Sequence, residues 1–214
     1  MNVSLQHPWL IADERLALGD QLLAILAGVT AVGDLDEVAR TWDALPEVLH
    51  PAGIELVLQT HLFAGYPRTI NALGRIRSLG CKLNTSSDAV PAQWRPDGEQ
   101  LCSKIYGPSY ERLRERVQSL HVDLDRWMLE VGYGRVLSRP GATARQRELG
   151  VLAVLGGQDV APQLTSHLRG AFHVGATVDE CAVVMELLGA IWGEAAREKA
   201  YAVFQAFQAR MAAN

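Results

Sequence analysis

Cysteine is scarce in this chain, with only Cys81, Cys102 and Cys181 in 214 residues, and no Cys-x-x-Cys occurs. An odd number at wide spacing excludes a disulfide scaffold and fits unpaired thiols in a reducing cytoplasm. Long apolar runs are missing as well, and none approaches the length needed to span a bilayer, so no membrane partner is expected. Residues 1–9 lack a charged n-region and an apolar h-region, so no signal peptide is expected. Basic residues form no stripe and no run beside aromatics. With a net charge of −4 and a pI of about 5.9, nucleic acid is not an expected partner. The six histidines (His7, His50, His61, His121, His167, His173) show no His-Glu-x-x-His or finger spacing, so no metal site is expected.

What is present is a hydrophobic content of 49%, enough to bury a sizeable core. Apolar residues recur at three- and four-residue spacing with few alternating stretches, which predicts an all-α fold. The pattern predicts helices near 12–28, 34–45, 52–64 and 67–79, with Pro51 and Pro67 at helix starts. Residues 80–98 are dense in turn formers and read as a long connection. Further helices are expected at about 98–105, 107–119 and 122–133, then at 144–156 and 160–174. Thr177 with Glu180 forms a capping box opening a helix to about 191, and a last helix runs from Glu194 to about Met211.

The two ends resemble each other. Leu23-Ala24-Ile25-Leu26-Ala27-Gly28 parallels Leu152-Ala153-Val154-Leu155-Gly156-Gly157, and Phe63-Ala64-Gly65 parallels Ile191-Trp192-Gly193. The order of elements repeats too, which predicts two tandem helical repeats and not a solenoid. The expected division is a first repeat at 1–79, a linker with connecting helices at 80–136, and a second repeat at 137–214.

Chemistry concentrates in the second repeat. Glu148 lies nine residues before Gly157, and His167 nine after Gln158, on either side of a Gly-Gly-Gln-Asp turn. In an antiparallel hairpin both sit at one height, roughly 14 Å from the turn. A carboxylate level with an imidazole is a candidate proton-transfer pair. In the first repeat Ala39 faces the position of His167, and Gly19 or Asp20 that of Glu148, so one site per chain is expected.

Residues 130–177 contain Glu130-x-x-Tyr133-Gly134, then Ser138-Arg139-Pro140-Gly141, Arg145-x-Arg147-Glu148-Leu149, Gln163-Leu164-x-x-His167-Leu168-Arg169-Gly170-Ala171 and Gly175-Ala176-Thr177. This run resembles the carboxymuconolactone decarboxylase family of the alkylhydroperoxidase D-like superfamily. Phe63-Ala64-Gly65-Tyr66-Pro67-Arg68-x-x-Asn71-Ala72 resembles the same family's helix break. The resemblance implies an AhpD-like helical fold, two tandem repeats here, and a homo-oligomer.

It also implies two chemistries. The peroxidase branch uses a glutamate, a Cys-x-x-Cys pair and a histidine, and the two cysteine positions fall here on Val160 and Gln163. Disulfide chemistry needs an attacking thiolate and a resolving thiol, and neither stands at these positions. The decarboxylase branch keeps the histidine without the pair, and needs no organic cofactor. In 4-carboxymuconolactone, loss of CO2 pushes electrons into the conjugated lactone carbonyl, giving an enolate that a histidine can protonate while a carboxylate sets its tautomer.

On that reading His167 and Glu148 are the catalytic candidates. Arg139 and Arg147 are candidates for holding substrate carboxylates, and Tyr133 and Gln163 for lining the pocket. Each has a plainer role beside this one. His167 fits a buried apolar stripe, Glu148 a first-turn carboxylate favoured by the helix dipole, the arginines ion pairs, and Tyr133 packing at a helix end. The leading expectation is a small-molecule carbon–carbon lyase or related proton-transfer enzyme. Its rivals are a peroxidase of the same superfamily and a non-catalytic helical assembly module.

Overall fold

The computed structural model describes residues 6–12, 14–83 and 90–213. Every regular element among them is helical. The order is α1 (Leu18–Val32), α2 (Leu35–Ala44), a 3-10 turn (Glu47–Leu49), α3 (His50–Gln59), α4 (His61–Ala64) and α5 (Tyr66–Ser78). Then come α6 (Pro91–Tyr106), a second 3-10 turn (Gly107–Ser109), α7 (Tyr110–Leu120), α8 (Val122–Trp127) and a π segment (Met128–Leu137). The chain ends in α9 (Ala144–Leu155), α10 (Ala161–His173), α11 (Val178–Trp192) and α12 (Glu194–Ala212).

Helix α1 runs through the centre. Leu22 to Ala27 are at most 1% exposed, so this stretch of the helix is apolar on every side and buried as such stretches must be. Burying each of its leucines contributes about 1.5–3 kcal/mol. It packs on α9 and α11 at backbone range, which small residues permit. A Cβ on Gly28 would stand 2.8 Å from Ile191 and 3.4 Å from the Ala153 carbonyl, and one on Gly150 would stand 3.0 Å from Leu56. The main core therefore draws on both end regions. A second, smaller core joins Cys102, Ile105 and Tyr106 of α6 to Leu129, Tyr133 and Leu137 of the π segment.

Element bounds repeat along the chain. Helices α3 and α4 together run from His50 to Ala64, and α11 from Val178 to Trp192, an offset of 128 at both ends. Helices α5 and α12 open at Tyr66 and Glu194, again offset by 128. These repeats are consistent with an internal duplication. The N-terminal strap is pinned on α2 by buried His7, whose Nδ1 accepts from the Trp9 N–H (3.3 Å) and whose Nε2 meets Thr41 Oγ1 (3.2 Å).

Three expectations need correction. Residues 91–98 are not connection but the first half of α6, with Pro91 in its first turn and Pro96 inside it; residues 84–89 lie outside the described set. The first helix starts at Leu18, not near 12. The helix expected at 122–133 changes to π hydrogen bonding after Trp127 and continues to Leu137. Among the described residues no helix is long and apolar enough to cross a membrane.

A buried carboxylate–imidazole pair between two helices

Glu148 is the fifth residue of α9. That helix starts on a reciprocal cap, in which Thr143 Oγ1 accepts from the Gln146 N–H and the Gln146 side chain accepts from the Thr143 N–H. His167 lies in α10, which opens with Pro162 in its first turn. The turn between them is fixed from outside. The Trp192 ring covers it so closely that a Cβ on Gly157 would stand 1.9 Å from the indole, while Trp192 Nε1 donates to the Ala153 carbonyl (2.8 Å). Gln158 Nε2 donates to the Phe63 carbonyl (3.1 Å), tying the turn to α4.

Held this way, the two helices bring the pair into contact, with His167 Nδ1 2.8 Å from Glu148 Oε2. Glu148 is 1% and His167 6% exposed. An ionised Glu148 accepts the Nδ1 proton, which leaves the lone pair of the neutral ring on Nε2. Among the described residues Nε2 has no hydrogen-bond partner, so it is the atom open to chemistry. The Phe63 ring and the imidazole meet edge to face, with centroids 5.8 Å apart at 85°.

The neighbourhood is completed by the C-terminal turn of α6. A Cβ on Gly170, one turn after His167, would lie 3.1 Å from Glu148 Oε2 and 2.7 Å from Ile105 Cγ2, so only glycine lets the three helices meet. Tyr106 follows Ile105, and the Tyr133 hydroxyl is 3.1 Å from its own. Burial pushes the Tyr106 phenol up to about 12, and the Glu148 charge raises it further against the lowering effect of the Tyr133 hydrogen bond. Burial likewise drives Tyr133 well above its usual value, with Tyr106, Cys102 and Glu148 acting in the same direction. The Cys102 thiol, also near Glu148, is pushed up to about 12 chiefly by burial, which makes it a poor nucleophile.

The other sequence-selected residues stand elsewhere. Arg139 Nε donates to Glu55 Oε2 (3.0 Å) and Arg147 Nη2 to the same oxygen (3.1 Å). Arg147 is 2% exposed and also donates to Gln59 Oε1 (3.1 Å) and to the Arg139 carbonyl (2.7 Å). Both guanidiniums thus join the 138–147 region to α3. Burial lowers the Arg147 pKa, with Glu55 opposing it. Gln163 is exposed on α10. Asp20, which with Gly19 is set against Glu148 by the sequence parallel, pairs with Arg145 (2.7 Å) and accepts from Gln146 (3.0 Å), and Ala39 is buried.

No family model matches the chain. A stretch of 138 residues is 30% identical to Peroxisomal protein 2 of Schizosaccharomyces pombe, covering 62% of this chain and 64% of that protein. The chain therefore spans less than two thirds of that relative's length.

Two clefts of about 410 Å³ each are lined from the 138–143 loop. One is bounded by Lys104 and Arg139, the other by Glu55 and Cys81, and neither is lined by Glu148 or His167. Among the described residues no group of three or more His, Cys, Asp or Glu side chains is placed to hold a metal ion. Sequence reasoning missed Phe63, Tyr106 and Glu55 as parts of these clusters. Phe63 stood in a motif that marked only a helix break, and nothing in local spacing linked Tyr106 or Glu55 to residues 42 and 92 positions further on.

Proposed function

We propose that this protein is a cofactor-independent proton-transfer enzyme, a carbon–carbon lyase of the carboxymuconolactone decarboxylase type acting on a small carboxylated lactone or related acid. The observation that supports it is the 2.8 Å contact between Glu148 and His167, which leaves Nε2 as the working atom. As the imidazolium, His167 delivers its Nε2 proton to the enolate carbon left when CO2 departs. Glu148 stays ionised and stabilises the imidazolium. The arginines share Glu55, so their part in this reading is to fix the loop before α9.

The enclosure of the pair and the two clefts remote from it favour one competing reading, a helical assembly module without catalysis. Release of CO2 from 4-carboxymuconolactone by the purified protein separates the two. Turnover that Glu148→Gln lowers by about a hundredfold or more supports the enzyme. No turnover of this or related lactone acids supports the module. Peroxide consumption that stops on thiol alkylation supports the peroxidase rival.

We further propose a homo-oligomer, consistent with the exposed Leu120, Leu124 and Trp127 on α7 and α8; sedimentation as a strict monomer contradicts it. The cytoplasm is the proposed compartment, resting on three unpaired thiols. The relative's name makes the peroxisome the alternative, which imaging of the tagged protein decides.

A further inference from the structure

Two phenol hydroxyls lie within electrostatic reach of Glu148, and their proton count does not close. Tyr133 and Tyr106 share one hydrogen bond, 3.1 Å between oxygens. Two hydroxyls bring two protons, and one mutual bond uses one of them. The remaining O–H has no acceptor among the described residues. It is nonetheless buried, since Tyr106 is 9% and Tyr133 5% exposed. An unsatisfied buried donor is destabilising, and a ligand acceptor would remove that penalty.

Several features hold this donor rigidly. Tyr133 lies in the π segment, and helices of this kind recur at functional sites. The segment crosses α6 at backbone contact. A Cβ on Gly134 would meet the Trp94 carbonyl at 1.8 Å, and one on Gly98 the Leu129 carbonyl at 2.0 Å. Ser138 Oγ donates to the Tyr133 carbonyl at 2.7 Å, satisfying an acceptor at the end of the segment. The rings meet edge to face with centroids 6.1 Å apart. The C-terminal turn of α6 that carries Tyr106 touches the Gly170 site against which Glu148 Oε2 rests.

We propose that Tyr106, backed by the hydroxyl of Tyr133, is an oxyanion-binding residue that donates its phenolic proton to a negatively charged oxygen of the bound ligand. Tyr106 is the terminal donor because it is the more exposed of the two, and Tyr133 polarises it from behind. The ligand class is a small organic acid or enol whose oxygen carries the charge. In the reaction proposed above that oxygen is the lactone carbonyl, which becomes an enolate as CO2 leaves. This deepens that reading and rests on it for the reaction, though not for the binding.

Binding of 4-nitrophenolate to the full-length protein, against nitrobenzene as a probe of the same shape without the charged oxygen, tests it. Wild type binds the phenolate more tightly than nitrobenzene. Tyr106→Phe weakens the phenolate about ten- to a hundredfold and leaves nitrobenzene unchanged. Tyr133→Phe gives a smaller loss in the same direction. His167→Ala keeps the preference for the phenolate even if it abolishes turnover, so failure of the lyase reading and failure of this one are told apart. The proposal is overturned if wild type shows no preference for the phenolate, if Tyr106→Phe binds it as wild type does, or if that substitution weakens both probes equally.

Discussion

Gly65 and Gly193 hold nearly the same backbone, φ 82° and ψ 162° against φ 88° and ψ 160°, although 128 residues separate them. Each ends one helix and starts the next in a conformation that side chains rarely adopt, so the same bend is made twice by the same device. Around the matching bends the side chains differ. One half places Glu148 on His167, whereas the other has Ala39 and commits Asp20 to Arg145 and Gln146.

The ion cluster that joins the halves is asymmetric, because one carboxylate serves two guanidiniums. Glu55→Ala leaves Arg147 buried without its counter-charge and is expected to cost about 3–5 kcal/mol in urea unfolding. Arg147→Met keeps the Glu55–Arg139 pair and replaces a buried cation by an apolar side chain of similar length. It is expected to cost far less, and a larger loss for Arg147→Met than for Glu55→Ala contradicts this account.

The thiols are predicted to divide by burial. Burial pushes Cys102 and Cys181 up to about 12, whereas Cys81 is partly exposed. At a pH near 8 only about one in ten thousand of the two buried thiols is ionised. Iodoacetamide on the native protein is therefore expected to modify Cys81 and spare the others, which peptide mass spectrometry reads directly. Rapid labelling of Cys102 in the folded protein refutes the packing described here.

His7 gives the N-terminal strap a pH dependence of definite sign. Burial holds its pKa below the ordinary 6.5, with Arg40 adding to the effect. Among the described residues Glu37 stands 3.6 Å from Nε2, and it does not outweigh burial. The unfolded chain therefore binds the proton more readily. The contribution of His7 is complete above pH 6.5 and is lost as pH falls from there through the lowered folded value. Protonation also places a proton on Nδ1, where the Trp9 N–H now donates. Wild type should lose melting temperature below that pH more steeply than His7→Gln, and parallel curves sink the assignment.

How much of this was legible depends on sequence distance. That Glu148 and His167 lie level was readable, because both are in helices flanking one short turn, where counting residues measures height; that they touch was not, since it depends on how the two helices are rotated. Glu55 and Tyr106 were not, since their positions follow from how α3 and α6 pack on α9 and α10. The region 80–98 misled through composition. Gly98 is glycine because α6 touches the Leu129 carbonyl, not because the chain turns there. Pro91 starts a helix, and Pro96 is carried within it. The π segment escaped because its hydrogen bonds run one residue beyond the helical period that apolar spacing reports.

The central claim is that Glu148 and His167 work as one unit, and a double-mutant cycle on CO2 release from 4-carboxymuconolactone tests it most directly. Glu148→Gln and His167→Ala are each expected to lower kcat by about a hundred- to ten-thousandfold. The double variant should be no slower than the worse single one, because removing either partner already disables the pair. Losses that multiply, or a His167→Ala protein with full turnover, contradict the account.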